Sequence, residues 1–85
     1  MSGAETTQRR VAAFALRHKL SPREQQIVYL IATGVQPKAI GSHLGCGYAS
    51  VRTHLHRTAD KLGCCGTREI LLRLFLEDHS DSNGR

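Results

Sequence analysis

The stretch that decides the fold is GYASVRTHLHRTADKLG, residues 47–63. At helical spacing it has two faces of different chemistry. One face has the spacing of a buried helix stripe, and it consists of Val51, Leu55, Thr58, Ala59 and Leu62. The opposite face is polar and basic, and it consists of Arg52, Thr53, His56 and Arg57. A short helix held along one edge, with donors and positive charge along the other, is suited to insertion into a DNA groove.

The size of the chain allows one small domain. With 85 residues, a single compact core is the upper limit. No apolar run reaches the length of about 18 residues that a membrane span needs, so we expect no membrane partner. The first residues, MSGAETTQRR, lack the apolar middle of a secretion signal, and we expect a cytoplasmic protein.

The charge is basic and unevenly distributed. The formal net charge is +5 and the sequence pI is about 9.6, which favours an anionic partner but also fits a merely well-solvated domain. The only acid between residues 36 and 68 is Asp60. The bases in that range are Lys38, Arg52, Arg57, Lys61 and Arg68. Positive charge therefore concentrates around the proposed groove helix.

The cysteines argue against a disulfide scaffold. Their number, three, is odd, and Cys64 and Cys65 are neighbours that cannot bridge without strain. A reducing compartment fits this usage better. Zinc is not expected, because no C-x₂-C pair accompanies the histidines His43, His54 and His56.

Two helices are predicted in the first part of the chain, before the helix-turn-helix segment. The first spans Thr7 to Lys19 after a loose leader, with Val11, Phe14 and Ala15 facing inward. The second begins at Ser21, an N-cap followed by Pro22 and, at the capping-box distance, Glu24. Its apolar face is followed by Gly34, a suitable left-handed stop.

The remaining segments complete an all-α architecture. A helix from Pro37 to Leu44, with Ala39, Ile40 and Leu44 inward, precedes the break at residues 45–47 and the groove helix, residues 48–62. A last helix runs from Gly66 or Thr67 to about Glu77. Because nothing alternates with period two, we predict a four-helix helix-turn-helix domain (20–77) with an additional N-terminal helix and leader (1–19) and a disordered tail (78–85).

Four segments resemble the C-terminal DNA-binding domain of the LuxR/GerE (NarL/FixJ) family of bacterial transcription regulators. They are LSPREQQIVYLIATG (20–34), PKAIGSHL (37–44), SVRTHLHRTADKLG (50–63) and TREILL (67–72). The combination is specific, and the resemblance covers roughly residues 20–76. It implies a four-helix domain whose third helix enters the major groove.

The resemblance also implies roles for individual residues. Arg52, Thr53 and His56 match the family's base-reaching positions, and Arg57 shares their face. Gln36, Lys38 and Lys61 match positions that contact phosphate, and Ser50 matches the family's Ser or Thr at the mouth of the recognition helix. We expect Ser50 and the basic Arg68 to contact phosphate as well. The last helix, which many family members use to dimerise, carries Leu72, Phe75 and Leu76.

The sequence departs from the family at several positions. Gly41 stands where Ala is more usual, Gly47-Tyr48-Ala49 replaces a more polar helix start, and Cys46 replaces Ile or Val. Asp60 places an acid in a basic helix. The apolar core pattern is unaffected.

No set of residues indicates an enzyme, a cofactor or a small-molecule substrate. Glu24 lacks a partner carboxylate, a nucleophile or a phosphate loop, so we expect it to cap its helix and to pair with a base such as Lys61. His54 lies at the edge of the buried stripe, where we expect a half-buried structural histidine rather than a metal ligand.

Three functions stay open at this point. The first is a sequence-specific DNA-binding regulator that acts as a homodimer. Apolar residues wrap most of the last helix, so part of that helix is expected to lie outside the monomer core. A second copy of the chain, or a further domain, would cover this strip. The second is a domain like region 4 of sigma factors, which binds promoter and polymerase. The third is a helical protein–protein adaptor that has lost DNA binding.

Overall fold

Five helices form the part of the chain that the structure describes. In the computed structural model, which describes the backbone of residues 3–83 and the side chains of residues 6–77, these are α1 (Gly3–His18), α2 (Pro22–Ala32), α3 (Pro37–Leu44), α4 (Tyr48–Leu62) and α5 (Thr67–Asn83). No strand occurs within residues 3–83. The predicted all-α class with an additional N-terminal helix is thereby confirmed.

The outer helices are longer than predicted. Helix α1 begins at Gly3 rather than Thr7, because no helix breaker stands between the two positions. Helix α5 continues past Glu77 to Asn83, since the first glycine after Gly66 is Gly84. The tail was predicted to be disordered from residue 78; the side chains of 78–83 and all of residues 84 and 85 lie outside the described residues.

The predicted capping box fixes the start of α2. Ser21 Oγ accepts a hydrogen bond from the Glu24 N–H at 3.2 Å, and Glu24 Oε1 accepts one from the Ser21 N–H at 2.8 Å. Both donors would otherwise lack partners at the helix start. At the other end Gly34 takes a left-handed φ of 97°, as the sequence predicts.

One core cluster joins α1, α2, α4 and α5. It consists of Val11, Phe14, Val28, Ala59, Leu62, Ile70 and Leu74. Phe14, which is 1% exposed, is a large side chain that α1 contributes. The N-terminal helix is therefore part of the main core.

A second cluster lies under the helix-turn-helix. It consists of Ile27, Ile31, Ile40 and Val51. Helix α4 packs on this cluster through Val51 and on the first through Ala59 and Leu62, while Leu55 contacts both. The predicted buried stripe of α4 thus lies across the whole core.

The turn between α3 and α4 depends on a close backbone approach at Gly41. The Cys46 N–H donates to the Gly41 carbonyl at 2.9 Å, and a Cβ on Gly41 would lie 2.5 Å from the Cys46 carbonyl oxygen. Gly41 is therefore buried in α3 together with Ile40. The prediction that Ala39 faces inward is wrong, because Ile40, Gly41 and Leu44 form the packed edge of this short helix and Ala39 lies exposed beside them.

An ionic cluster joins α1 to α5. Glu77 accepts hydrogen bonds from Arg17 at 2.7 Å and from His18 at 2.9 Å. A guanidinium nitrogen of Arg73 lies 3.7 Å from Glu77 Oε2. Burial raises the pKa of Glu77, but the hydrogen bonds from His18 and Arg17 outweigh it and leave this pKa below its ordinary value. The charged carboxylate therefore fastens the C-terminal end of α1.

Candidate nucleic-acid interface

The exposed face of α4 carries the four side chains predicted to contact bases. Arg52, Thr53, His56 and Arg57 are all exposed. Within the described residues, no hydrogen bond or ion pair engages the side chains of Arg52, His56 or Arg57. Two guanidinium groups and an imidazole are therefore presented to solvent from a helix whose other face is fixed in the core.

Thr53 differs from its neighbours because its hydroxyl is engaged within the helix. Thr53 Oγ1 donates to the Ala49 carbonyl at 3.1 Å. Threonine in helices often makes this bond to the preceding turn. The groups that Thr53 offers outward are thus its methyl group and the acceptor side of the hydroxyl.

The first turn of α4 begins with two apolar residues and lacks a side-chain cap. Its N-cap is Gly47, which has an extended backbone and no side chain to accept a hydrogen bond. Tyr48 follows with 47% of its surface exposed, and Ala49 is exposed beside it. Tyr48 is not among the site residues predicted from the sequence, although an aromatic residue at the first position of the groove helix was an available signal.

The residues predicted to contact phosphate lie in four places, one of which is the last turn of α4, which carries Lys61. Gln36 and Lys38 are exposed at the start of α3, where the Gln36 side chain makes no cap bond. Ser50 is exposed in the first turn of α4. Arg68 is exposed on α5, where it lines an apolar cleft of about 430 Å³ with Leu71 and Phe75.

Lys61 is engaged by the protein itself. Its Nζ donates to Glu24 Oε1 at 2.7 Å and to the Lys19 carbonyl at 3.2 Å. The Glu24 side chain is 3% exposed, and that of Lys61 is 40% exposed. Burial raises the pKa of Glu24. The hydrogen bonds from Lys61 and from the Ser21 N–H lower it by more, so this pKa ends below its ordinary value. The ion pair anticipated from the sequence is present.

His54 and the cysteines occupy structural positions. His54 is half-buried, and its carbonyl accepts a hydrogen bond from Thr58 Oγ1 at 2.8 Å. Its buried Nδ1 has no hydrogen-bond partner among the described residues. Cys46 and Cys64 are half-buried, Cys65 is exposed, and all three are free thiols. Among the described side chains, no three His, Cys, Asp or Glu residues are placed to hold a metal ion.

Helix α5 presents a second exposed surface of different chemistry. Leu72, Phe75 and Leu76 are 54%, 56% and 60% exposed. The inner face of the helix packs through Ile70 and Leu74. The strip expected from the sequence to lie outside the monomer core is therefore present.

The helix order, the α3–α4 turn and the basic face of α4 together describe a helix-turn-helix. A sequence model of the GerE domain, described as bacterial regulatory proteins of the luxR family, matches residues 18–74. The chain belongs to the luxR family of bacterial regulatory proteins. The match takes in α2, α3 and α4 completely, whereas all of α1 except His18 precedes it. This confirms the resemblance drawn from the sequence.

Membership of the luxR family sets the broad class of the protein. GerE domains are helix-turn-helix DNA-binding domains of bacterial transcription regulators. Searches among curated proteins and among solved structures gave no match. Within the described residues, none of the helices has the length and apolar character needed to cross a bilayer.

Proposed function

We propose that this protein is a sequence-specific DNA-binding transcription regulator that places α4 in the major groove. The observation that carries the proposal is the exposed side of α4, where Arg52, His56 and Arg57 have no partner among the described residues. A helix held along its length by two core clusters presents these groups in a fixed arrangement. Rigid presentation reduces the entropy lost on binding.

Arg52 is the principal base-reading residue of this proposal. Its guanidinium can donate two parallel hydrogen bonds to O6 and N7 of guanine, worth about 1–3 kcal/mol of discrimination. His56 lies one turn further along the same edge of α4 and offers one hydrogen bond, and Arg57 lies beside it. Thr53 completes the base-contacting set.

Phosphate contacts supply much of the affinity in this proposal. Lys38 and Gln36 at the start of α3, with Ser50 in α4, are exposed and are the main candidates. Arg68 and the remaining N–H donor of Lys61 extend the set, although Lys61 already serves the ion pair with Glu24. Each cation that neutralises a phosphate releases counterions, so binding weakens steeply with salt.

The regulator acts as a homodimer in the cytoplasm. Exposed Leu72, Phe75 and Leu76 form the dimer surface, because a strip of this kind is usually covered in the functional assembly. A two-fold dimer would place two copies of α4 in successive major grooves, about 34–36 Å apart. The expected target is therefore a palindrome with half-sites about one helical turn apart.

The test is selection of bound sequences from a random duplex pool, followed by titration of the selected duplex. Arg52→Ala should relax the preference at one base pair of each half-site by about 1–3 kcal/mol. Lys38→Ala is the matched control, since it should weaken binding to all duplexes alike and reduce the salt slope by about one.

Two results would count against the proposal. Retention of both affinity and preference by Arg52→Ala would show that the base-reading face is wrongly assigned. Absence of salt-dependent binding to any duplex would favour the adaptor function considered from the sequence.

A further inference from the structure

Around Arg52, the exposed N-terminal end of α4 includes side chains that offer mainly apolar groups, in addition to the polar Ser50. We define the apolar facet as Tyr48, Ala49 and Thr53, all of which are exposed. Residues three and four apart are neighbours on a helix surface, so Ala49 adjoins both Thr53 and Arg52, and Tyr48 adjoins Arg52. The facet therefore borders the principal base-reading residue of the proposed function.

The hydrogen bond within the helix decides what Thr53 can offer to a base. Because its hydroxyl donates to the Ala49 carbonyl at 3.1 Å, no O–H donor is directed outward. Ala49, four residues earlier, lies on the same side of the helix and ends in a methyl group. Neither Ala49 nor Thr53 therefore offers an outward side-chain hydrogen-bond donor, and each offers a methyl group.

Tyr48 is a large aromatic side chain exposed on the proposed DNA-binding helix. The other exposed large apolar residues within residues 6–77 are Leu16 on α1 and Leu72, Phe75 and Leu76 on α5. Only Tyr48 belongs to α4. The preceding Gly47 has no side chain to cover its ring, and side chains at a helix start project toward the N-terminus.

We infer that the apolar facet recognises the 5-methyl groups of thymines next to the base pair contacted by Arg52; this inference rests on the proposed function. Thymine is the only base that presents an apolar group in the major groove, and small or aromatic apolar side chains contact it. Four residues of helix rise about 6 Å, roughly two base-pair steps of 3.4 Å. The thymines therefore lie within about two base pairs of the Arg52 contact.

The experiment replaces each thymine of the selected duplex, one at a time, with uracil, which differs from thymine only in lacking the methyl group. The wild-type protein should bind about fourfold more weakly at one or two of these positions, the loss expected for one buried methyl group. Uracil at distant positions should have no effect.

Two pairs of variants assign the effect to the facet. Thr53→Ser keeps the hydroxyl and removes the methyl group, so it should bind one thymine position and its uracil counterpart equally well. Thr53→Val keeps the methyl group and should retain the fourfold difference. Tyr48→Ala should abolish the difference at its own position, whereas Tyr48→Phe should retain it. Because these side chains are exposed, circular dichroism melting should show that the variants stay folded.

Failure of the inference is distinct from failure of the proposed function. A wild-type protein that binds its selected duplex but is indifferent to every uracil, or selects no thymine near the Arg52 position, overturns the thymine-reading role and leaves DNA binding standing. The thymine-reading role is also overturned if both Thr53→Ser and Tyr48→Ala still bind every uracil duplex more weakly than its thymine counterpart. A protein that binds no duplex overturns both.

Discussion

At the scale of single residues, Glu24 has two structural tasks at once. It closes the capping box with Ser21 and pairs with Lys61 at the far end of α4. The capping box could be predicted from spacing alone. Pairing with a base such as Lys61 was also expected, but the 2.7 Å contact itself depends on the fold, because Glu24 and Lys61 are distant in sequence. A lysine that resembles a phosphate contact in the family motif therefore also stabilises the helix packing.

Glu24→Gln should lower the free energy of unfolding at neutral pH by about 1–3 kcal/mol, since a charged hydrogen bond is lost while the amide can still accept from the Ser21 N–H. The pKa of Glu24 is lowered by folding from its ordinary value of 4.5. Its stabilisation is therefore present above about pH 4.5 and is lost as the pH falls through the folded value. Urea unfolding of the wild type and Glu24→Gln from pH 7 to pH 3 measures this.

The difference in free energy of unfolding between the wild type and Glu24→Gln should narrow toward pH 3. Both should still lose stability on acidification, because the pKa of Glu77 is lowered as well. A difference that stays constant across the pH range would show that the charge of Glu24 does not contribute.

At the scale of elements, the α3–α4 turn rests on the missing side chain of Gly41. Gly41→Ala should lower the free energy of unfolding by up to about 2 kcal/mol. Displacing the Cys46 carbonyl costs about 1–3 kcal/mol, and the better helix propensity of Ala recovers somewhat less than 1 kcal/mol. Chemical denaturation measures the change.

Gly66→Ala is the control for Gly41→Ala, because a Cβ at Gly66 meets nothing within 4 Å. It should change stability by less than about 1 kcal/mol. Equal stability of Gly41→Ala and the wild type would mean that the close approach is easily relieved.

Helix α1 is a structural part of the domain although nearly all of it precedes the family match. Phe14→Ala should lower the free energy of unfolding by about 3–5 kcal/mol, because it leaves a cavity in the first core cluster. Leu16→Ala, on the same helix but at a side chain that is 83% exposed, should change it by less than about 0.5 kcal/mol. If urea unfolding gave equal values for the two variants, α1 would not be part of the cooperative unit.

The sequence predicted the elements better than their contacts. Ser21, Gly34, Pro37 and Gly63 mark helix ends by local chemistry, so the bounds of α3 and α4 were predicted correctly. The buried stripe of α4 followed from periodicity. The close approach at Gly41, the exposure of Ala39 and the inward bond of the Thr53 hydroxyl depend on packing and rotamers, which no local pattern specifies.

At the scale of the whole molecule, the exposed strip on α5 sets the expected assembly. Leu72→Gln combined with Leu76→Gln should convert the proposed dimer to a monomer, measured by sedimentation equilibrium at micromolar concentration. The double variant should also bind a palindromic duplex with much lower affinity, because the two half-sites are no longer engaged together. Leu16→Gln, on the exposed face of α1, is the control. A wild-type protein that is monomeric both alone and on DNA would contradict the prediction.

Helix α4 lies across both core clusters, through Val51 at one end and Leu62 at the other. Neither cluster can open without releasing part of this helix. Slow amide hydrogen exchange in the middle of α4 should therefore report global rather than local opening. Heating would then abolish DNA recognition and unfold the protein in one step, and a bound operator would raise the melting temperature of every helix together.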